Sequence, residues 1–378
     1  MNKLMKIKNR FLWCISFVLI ILLAACSLPE VTPPVETAAP TDPSFIISNT
    51  QSPSPTVPIL PEPVEITARN AALLTAVNRA PVNTIQQITW AQDGLSLAVS
   101  TQNTDSTDTQ LFGVSVLEVP SLTPINIMST KDGRVADISS DGKLAALISL
   151  DMTSISLVDL SADNSVVLTI TPDFLISSAS FSPGGDSLAI AKMDEWMVVL
   201  YSTTDGSMVN TLTGFETAAP VYNAGFTTSP QWIVWHARAT LQLQEIVNGK
   251  FTPTLDHQDF VTTFAMTRDG SMLASNASTA GIEPPGPAVT LWDAAGGVVL
   301  RTLELTESAL CIEFSPNGTL LAMGVGSALQ IWDVTSGSML ASLDGHAGQI
   351  TALAFSADGK YIATAGNDNQ LFLWQVSE

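Results

Sequence analysis

Few residues of this chain have the type and spacing that enzyme chemistry requires. Its three histidines, His236, His257 and His346, stand far apart, so no pair of them has metal-ligand spacing. The sequence contains no His-Glu-x-x-His, Gly-x-Ser-x-Gly, Cys-x-x-Cys, phosphate-binding glycine loop or EF-hand pattern. We therefore predict no catalytic residues, no metal site and no cofactor.

The three cysteines have different surroundings. Cys14 lies inside an apolar run, Cys26 follows that run, and Cys311 lies between leucine and isoleucine. One cysteine in the body of the chain cannot form an intramolecular disulfide. We expect Cys311 to be a small buried hydrophobe rather than a reactive thiol.

The first 25 residues have the order of an export signal. All four cations of this stretch lie in residues 1–10, and residues 11–23 form an apolar run that is short of the ~20 residues of a spanning helix. Leu23-Ala24-Ala25-Cys26 resembles the lipobox of bacterial lipoproteins. That resemblance implies cleavage between Ala25 and Cys26 and a lipid anchor on Cys26. An ordinary cleaved signal or an uncleaved anchor is the alternative.

A Pro-rich stretch follows at residues 26–65. Residues 27–65 hold ten prolines and ten serines or threonines. Such a composition buries too little apolar surface to fold, and we predict a disordered tether. An extended Pro-rich chain rises ~3.1 Å per residue, so this one could reach about 100 Å from a membrane.

The charge of the chain restricts its partners. The formal net charge is −20, and the chain without residues 1–25 has 11 Lys and Arg against 35 Asp and Glu, or −24. An acidic surface repels phosphate backbones and gains nothing from counterion release. We therefore expect no nucleic acid as a partner.

Residues 66–378 are a repeat. The segments 88–94, 136–142, 179–185, 224–230, 264–270, 312–318 and 353–359 align, and their last residues span 265 positions in six steps, about 44 per step. In each unit a strand runs into a tight turn, most often Asp-Gly or Asn-Gly, and short apolar strands follow. These dipeptides predict two-residue hairpin turns, in which both residues have positive φ. The spacing predicts an all-β chain, a seven-bladed β-propeller with four strands per blade.

Several of these residues resemble WD40 repeats. Trp292-Asp293 and Trp332-Asp333 match the terminal dipeptide of that motif, and Gly345-His346 matches its opening one. In the WD40 family a His, a Ser or Thr, an Asp and a Trp form a buried hydrogen-bond network within a blade. The resemblance assigns this network to His346, Thr364, Asp368 and Trp374 in unit seven, and in part to His257, Ser275 and Trp292 in unit five. Units one to four lack it and are equally similar to generic TolB-like blades.

The last unit has three strands where the others have four. Residues 72–77 precede unit one, have no neighbour to pair with and look like a fourth strand. We predict that this N-terminal strand closes the last blade and removes both open edges of the ring.

Two connections are longer than the repeat needs, residues 101–110 and residues 277–287. Both join a second strand to a third, which in WD40 propellers places them on a face that commonly binds partners. We name Asp105, Asp108 and Glu283 as candidate binding residues. A calcium site at Asp105 and Asp108 is less favoured than a solvated loop.

These features together predict a membrane-anchored scaffold without catalytic activity, which binds other proteins on the outer side of the membrane. The alternative is an exported propeller enzyme, or a carbohydrate- or ion-binding propeller, with carboxylates converging on the central channel.

Overall fold

The computed structural model describes residues 63–82, 84–104, 110–193, 195–214, 223–237, 239–257, 260–277 and 287–376. These residues form seven antiparallel sheets of four strands each and one three-residue 3₁₀ turn, Ala71–Leu73. The predicted all-β, seven-bladed propeller is confirmed. No helix in the described residues is long and apolar enough to cross a membrane.

Each blade begins with the strand nearest the centre of the ring. These first strands are β2 (Thr84–Trp90), β6 (Gly133–Ile138), β10 (Ile176–Phe181), β14 (Asn223–Phe226), β18 (Val261–Met266), β22 (Ala309–Phe314) and β26 (Ile350–Phe355). The second strands are β3 (Ser96–Thr104), β7 (Leu144–Ser149), β11 (Ser187–Lys192), β15 (Trp232–Ala237), β19 (Met272–Ala277), β23 (Leu320–Val325) and β27 (Tyr361–Gly366).

The third and fourth strands complete the blades toward the rim. The third strands are β4 (Gln110–Glu118), β8 (Ile155–Asp159), β12 (Met197–Ser202), β16 (Thr240–Glu245), β20 (Ala288–Asp293), β24 (Ala328–Asp333) and β28 (Gln370–Val376). The fourth strands are β5 (Pro124–Thr130), β9 (Val166–Ile170), β13 (Met208–Thr213), β17 (Leu255–Asp256), β21 (Val298–Glu304), β25 (Met339–Leu343) and β1 (Leu74–Pro81).

The core consists of seven apolar layers, one between each pair of neighbouring blades. One layer joins blades 6 and 7, and another joins blade 7 back to blade 1, which closes the ring. Every residue of β23 and of β27 is buried, because these second strands pack against a neighbouring blade on both faces. Their sequences are correspondingly continuous apolar runs rather than alternating ones. The rim strand β21 shows the opposite pattern, because its first five residues are all exposed.

The N-terminal strand closes the ring as predicted. β1 pairs antiparallel with β28, from Leu74 opposite Val376 to Pro81 opposite Gln370. The strand begins two residues later and ends four residues later than the predicted range 72–77, because the 3₁₀ turn precedes it and its length follows that of β28.

The residues before β1 also contact the last two blades. The Ile66 N–H donates to the Gly359 carbonyl at 2.9 Å, and the Ile66 side chain is 1% exposed in the layer between blades 6 and 7. Asn317 Nδ2 donates to Glu65 Oε1 at 2.8 Å. Residues 65 and 66 are therefore held against the propeller.

The turns between first and second strands differ from the predicted two-residue turns, in which both residues have positive φ. In blade 7 five residues separate β26 from β27, and of these Gly359 has a positive φ of +71°. Asp358 instead accepts hydrogen bonds through Oδ1 from Ser356 Oγ at 2.7 Å and from the Lys360 N–H at 3.2 Å. The carboxylate organises the longer turn as an Asx turn does, so a single glycine supplies the left-handed residue.

Candidate functional sites: the loop face and the central channel

Two faces of the ring follow from the antiparallel strands. We call the side where second strands end and third strands begin the loop face, and the side with the turns between first and second strands the turn face. β3 and β19 both end at the loop face, so the two longer connections leave the ring on the same side.

The candidate residues Asp105, Asp108 and Glu283 lie outside the described residues. β3 continues to Thr104 and β4 begins at Gln110, so the first connection is 105–109 and is shorter than the predicted 101–110. The reason is that β3 and β4 keep pairing, residue by residue, up to Thr104 opposite Gln110.

The structure brings the four side chains assigned in blade 7 into one chain of hydrogen bonds. Trp374 Nε1 donates to Thr364 Oγ1 at 2.8 Å, and Thr364 Oγ1 lies 2.8 Å from His346 Nε2. His346 Nδ1 lies 3.0 Å from both carboxylate oxygens of Asp368. The indole can act only as a donor and the carboxylate only as an acceptor. With a neutral imidazole, Thr364 Oγ1 therefore donates to His346 Nε2, and His346 Nδ1 donates to Asp368.

This network fixes two segments of the loop face to each other. His346 lies between β25 and β26, whereas Asp368 lies in the turn between β27 and β28 and also accepts from the Ala347 N–H at 2.8 Å. Burial acts to raise the pKa of Asp368, but the hydrogen bonds from His346 and Ala347 outweigh it and hold the pKa below its ordinary value. Glycine is required at 345, because a Cβ there would lie 2.9 Å from the Trp374 ring.

Blade 5 has a reduced form of the same network. Trp292 Nε1 donates to Ser275 Oγ at 2.8 Å, and Ser275 Oγ lies 2.6 Å from His257 Nε2. His257 Nδ1 lies 3.1 Å from the Leu255 carbonyl, which takes the place of the aspartate. Since a carbonyl only accepts, Nδ1 carries the proton and Nε2 accepts from Ser275. Burial lowers the pKa of His257, so the ring is neutral at pH 7.

Blade 4 has a pairing that the sequence analysis missed. Trp235 Nε1 donates to Gln244 Oε1 at 3.0 Å, and both side chains are buried. The tryptophan belongs to a second strand and the glutamine to the third strand beside it, so the WD40 spacing gave no indication of the pair.

The central channel contains a cavity of about 940 Å³ that opens at the turn face. Its walls are the last residues of the first strands and the turns that follow them. The charged side chains that line it are Asp137, Glu313 and Arg268. The carboxylates belong to blades 2 and 6, which lie on different sides of the ring.

The two channel carboxylates share a structural role. Asp137 Oδ2 accepts from the Phe181 N–H of the next blade at 2.8 Å, and Glu313 Oε2 accepts from the Phe355 N–H of its next blade at 3.1 Å. Ser180 Oγ does the same for the Phe226 N–H at 2.8 Å. Each side chain therefore satisfies the backbone edge of the neighbouring first strand. The sequence signal for this role is an acid directly before the last residue of the first strand in units two and six.

Burial dominates the electrostatics of these acids. It raises the pKa of Asp137 against the lowering effect of hydrogen bonds from Gln87, Phe181 and Ile138. Burial also raises the pKa of Glu313 to about 8, and the Phe355 N–H and Arg268 oppose this only in part. A carboxyl group with such a pKa is largely protonated at neutral pH.

We expect Glu313→Gln to stabilise the protein at alkaline pH. The pKa of Glu313 is raised in the folded state, so its contribution to stability is complete below the unfolded pKa and is lost as pH rises through about 8. The amide oxygen of glutamine can still accept from Phe355. The variant should therefore match the wild type at pH 4 and exceed it by about 2 kcal/mol at pH 9 in urea unfolding. The exposed Glu304→Gln is the matched control, and equal stability of Glu313→Gln and wild type at pH 9 would refute the assignment.

Cys311 and His236 pack inside the blades. Burial raises the pKa of the Cys311 thiol to about 12, which agrees with a small, unreactive core residue. His236 lies on β15 with its ring edge-on to Phe264 at 6.2 Å between centroids. Among the residues that the structure describes, no three His, Cys, Asp or Glu side chains are grouped closely enough to hold a metal ion.

The fold defines a seven-bladed β-propeller that is closed by its N-terminal strand. Within it, residues 337–375 match the family model described as WD40: WD domain, G-beta repeat. The matched segment contains β25 of blade 6 and the first three strands of blade 7. This matched repeat is thus offset from the blade by one strand and spans parts of blades 6 and 7.

Several curated proteins are similar to parts of this chain. The Target of rapamycin complex subunit wat1 of Schizosaccharomyces pombe is 31% identical over 93 residues, 23% of this chain and 29% of that protein. The Small ribosomal subunit protein RACK1 of Caenorhabditis elegans is 31% identical over 136 residues, 33% and 40% of the two chains. The Cross-pathway control WD-repeat protein 2 of Flammulina velutipes is 30% identical over 130 residues, which cover 32% of this chain and 39% of that protein. The chain therefore spans well under half the length of these relatives, all of which are eukaryotic.

Proposed function

We propose that this protein is a scaffold that binds other proteins through the loop face of its propeller, without catalytic activity of its own. The observation that carries the proposal is that the long β3–β4 strand pair and the long connection between β19 and β20 both leave the ring on this one face. The hydrogen-bonded pair His346 and Asp368 holds two segments of the same face in place. The WD40 repeat matched at residues 337–375 supports the role, because propellers with such repeats generally act in protein interactions rather than in catalysis.

Trimming the loops tests the role of this face. Residues 105–109 and 278–286 are each replaced by Gly-Ser, and proteins captured by the purified chain are quantified against the untrimmed protein. We expect the specific partners to be lost, since loops on a rigid scaffold supply the contacts. The substitution Asp163→Asn, at an exposed residue of the turn between β8 and β9 on the turn face, is the control and should change nothing. Equal capture of the same partners after both trims would refute the loop face as the binding surface.

We further propose that the chain is exported and anchored by a lipid on Cys26, with Ala25 as the last residue removed. The proposal rests on the cationic start, the apolar run of 13 residues and the sequence Leu-Ala-Ala-Cys. The Pro-rich residues 26–65 would then act as the tether. The partners would be proteins on the outer side of the membrane.

The substitution Cys26→Ser tests the anchor. We expect the wild type to sediment with membranes and the variant to remain in the soluble fraction, because a serine cannot carry the thioether lipid that holds the protein. Cys14→Ser is the matched control and should sediment like the wild type. Equal sedimentation of Cys26→Ser and wild type would contradict lipidation at this residue.

A further inference from the structure

The channel cavity at the turn face is separate from the proposed protein-binding face. Its walls are the ends of the first strands, which pair with a neighbouring strand on one side only. Their other backbone edges therefore face the channel. At about 940 Å³ the cavity is within the range of small-molecule sites.

One acidic group in this cavity has an unused acceptor. Glu313 Oε2 accepts from the Phe355 N–H, whereas Oε1 has no hydrogen bond with any described residue. Asp137 differs, because Gln87 Nε2 at 2.6 Å and the Ile138 N–H at 2.8 Å occupy its Oδ1, and Phe181 occupies its Oδ2. Of the two channel acids, Glu313 is therefore the one with a carboxylate oxygen that accepts no hydrogen bond from a described residue.

Glu313 has no ion-pair partner among the described residues, although the charge of Arg268 acts to lower its pKa. Arg268, from the turn after β18, lies exposed at the mouth and donates through Nη1 to the Ala357 carbonyl at 3.4 Å. Within the described residues it forms no ion pair with Glu313. Cys311, on the same strand, is a neutral thiol. Asp137 lines the channel from blade 2, and the chain as a whole is strongly acidic.

The cavity also offers an apolar surface for a hydrocarbon stem. Phe226 and Phe264 are half-buried on its wall, and Met266 lies beside them. A ligand with an apolar stem and a hydrogen-bond-donating cation at its end matches both features. Cations over aromatic rings and charge-assisted hydrogen bonds to carboxylates are favourable contacts of this kind.

We propose that the turn-face cavity of the channel binds a primary alkylammonium group, with Glu313 as its anchor. The ammonium donates to Glu313 Oε1, and the alkyl stem lies along Phe226 and Phe264. The group can belong to a free polyamine or to a lysine side chain of a peptide. Because the carboxyl group holds a proton at neutral pH, the ammonium displaces that proton as it binds.

Calorimetric titration of the full chain tests the site with two probes, spermidine and the peptide acetyl-Gly-Lys-Gly-amide. We expect at least one of them to bind, and binding by one alone identifies the source of the amine. In Glu313→Gln the affinity should fall about tenfold or more, whereas Glu304→Gln should bind like the wild type. Absence of binding by both probes, or equal affinity in Glu313→Gln and wild type, would overturn the proposal.

A second measurement needs no variant. Titrations of the wild type at pH 7 in two buffers of different ionisation enthalpy give the number of protons exchanged. We expect about one proton released per amine bound, since Glu313 is mostly protonated beforehand. Binding without proton release would place the amine elsewhere on the acidic surface and would also overturn the proposal.

Discussion

Deletion of residues 66–81 is expected to abolish cooperative folding of the whole propeller. The deletion removes β1, the fourth strand of blade 7, and with it the buried side chains of Ile66 and Leu74. Burying two such side chains contributes about 3–6 kcal/mol, before the hydrogen bonds between β1 and β28 are counted. This is comparable to the entire stability of many proteins, about 5–15 kcal/mol.

Circular dichroism during heating measures this effect. Deletion of residues 43–58, which removes the same number of residues from the Pro-rich stretch, is the control and should leave the melting temperature unchanged. The single substitution Leu74→Ala should lower the free energy of unfolding in urea by about 2–4 kcal/mol. A propeller that melts cooperatively at the wild-type temperature without β1 would refute the role of the closing strand.

The substitution His346→Ala is expected to destabilise the protein by about 1–3 kcal/mol. The imidazole is the middle of the blade 7 network, and its removal leaves Thr364, which is 0% exposed, and the Asp368 carboxylate without their partner. Leaving a buried polar group unpaired lowers the free energy of unfolding by more than the hydrogen bond itself contributed. Urea unfolding at pH 7 measures the loss.

The chain supplies a matched control for this prediction. His257→Ala removes the equivalent imidazole from blade 5, where a backbone carbonyl replaces the carboxylate and the histidine is only half-buried. We expect a smaller loss than for His346→Ala. Equal losses for the two variants would show that the Asp368 interaction contributes nothing.

The fold was largely predictable because each blade repeats the same local signals. The seven aligned segments mark the ends of the first strands, so their spacing alone gives the blade count. The unpaired apolar segment before unit one indicated the closing strand, but not its limits. Those are set by the length of β28, a partner about 300 residues away in sequence.

The turns show where local reasoning failed. Asp-Gly suggested a two-residue turn, yet the Asp358 carboxylate bonds to Ser356 and Lys360 and stabilises a turn of five residues. A dipeptide preference cannot show this, because the competing hydrogen bonds come from residues on both sides of it.

The sites were predictable to different degrees. His346, Thr364, Asp368 and Trp374 have the spacing of a known network, and the structure places them within hydrogen-bond distance of one another. The channel acids were not singled out, because each depends on a backbone N–H of the next blade, more than 40 residues further along the chain. One sequence unit cannot show a contact that exists only between two units.

Closure of the ring is the central claim, because it fixes the positions of both the loop face and the channel. An engineered disulfide tests it most directly: Thr75→Cys and Gln375→Cys replace residues that face each other in the β1–β28 pair. We predict an intramolecular crosslink on mild oxidation, with no loss of melting temperature, whereas Thr75→Cys with Ser342→Cys should not crosslink. If Thr75→Cys and Gln375→Cys remained as free thiols under the same conditions, β1 would not close the last blade.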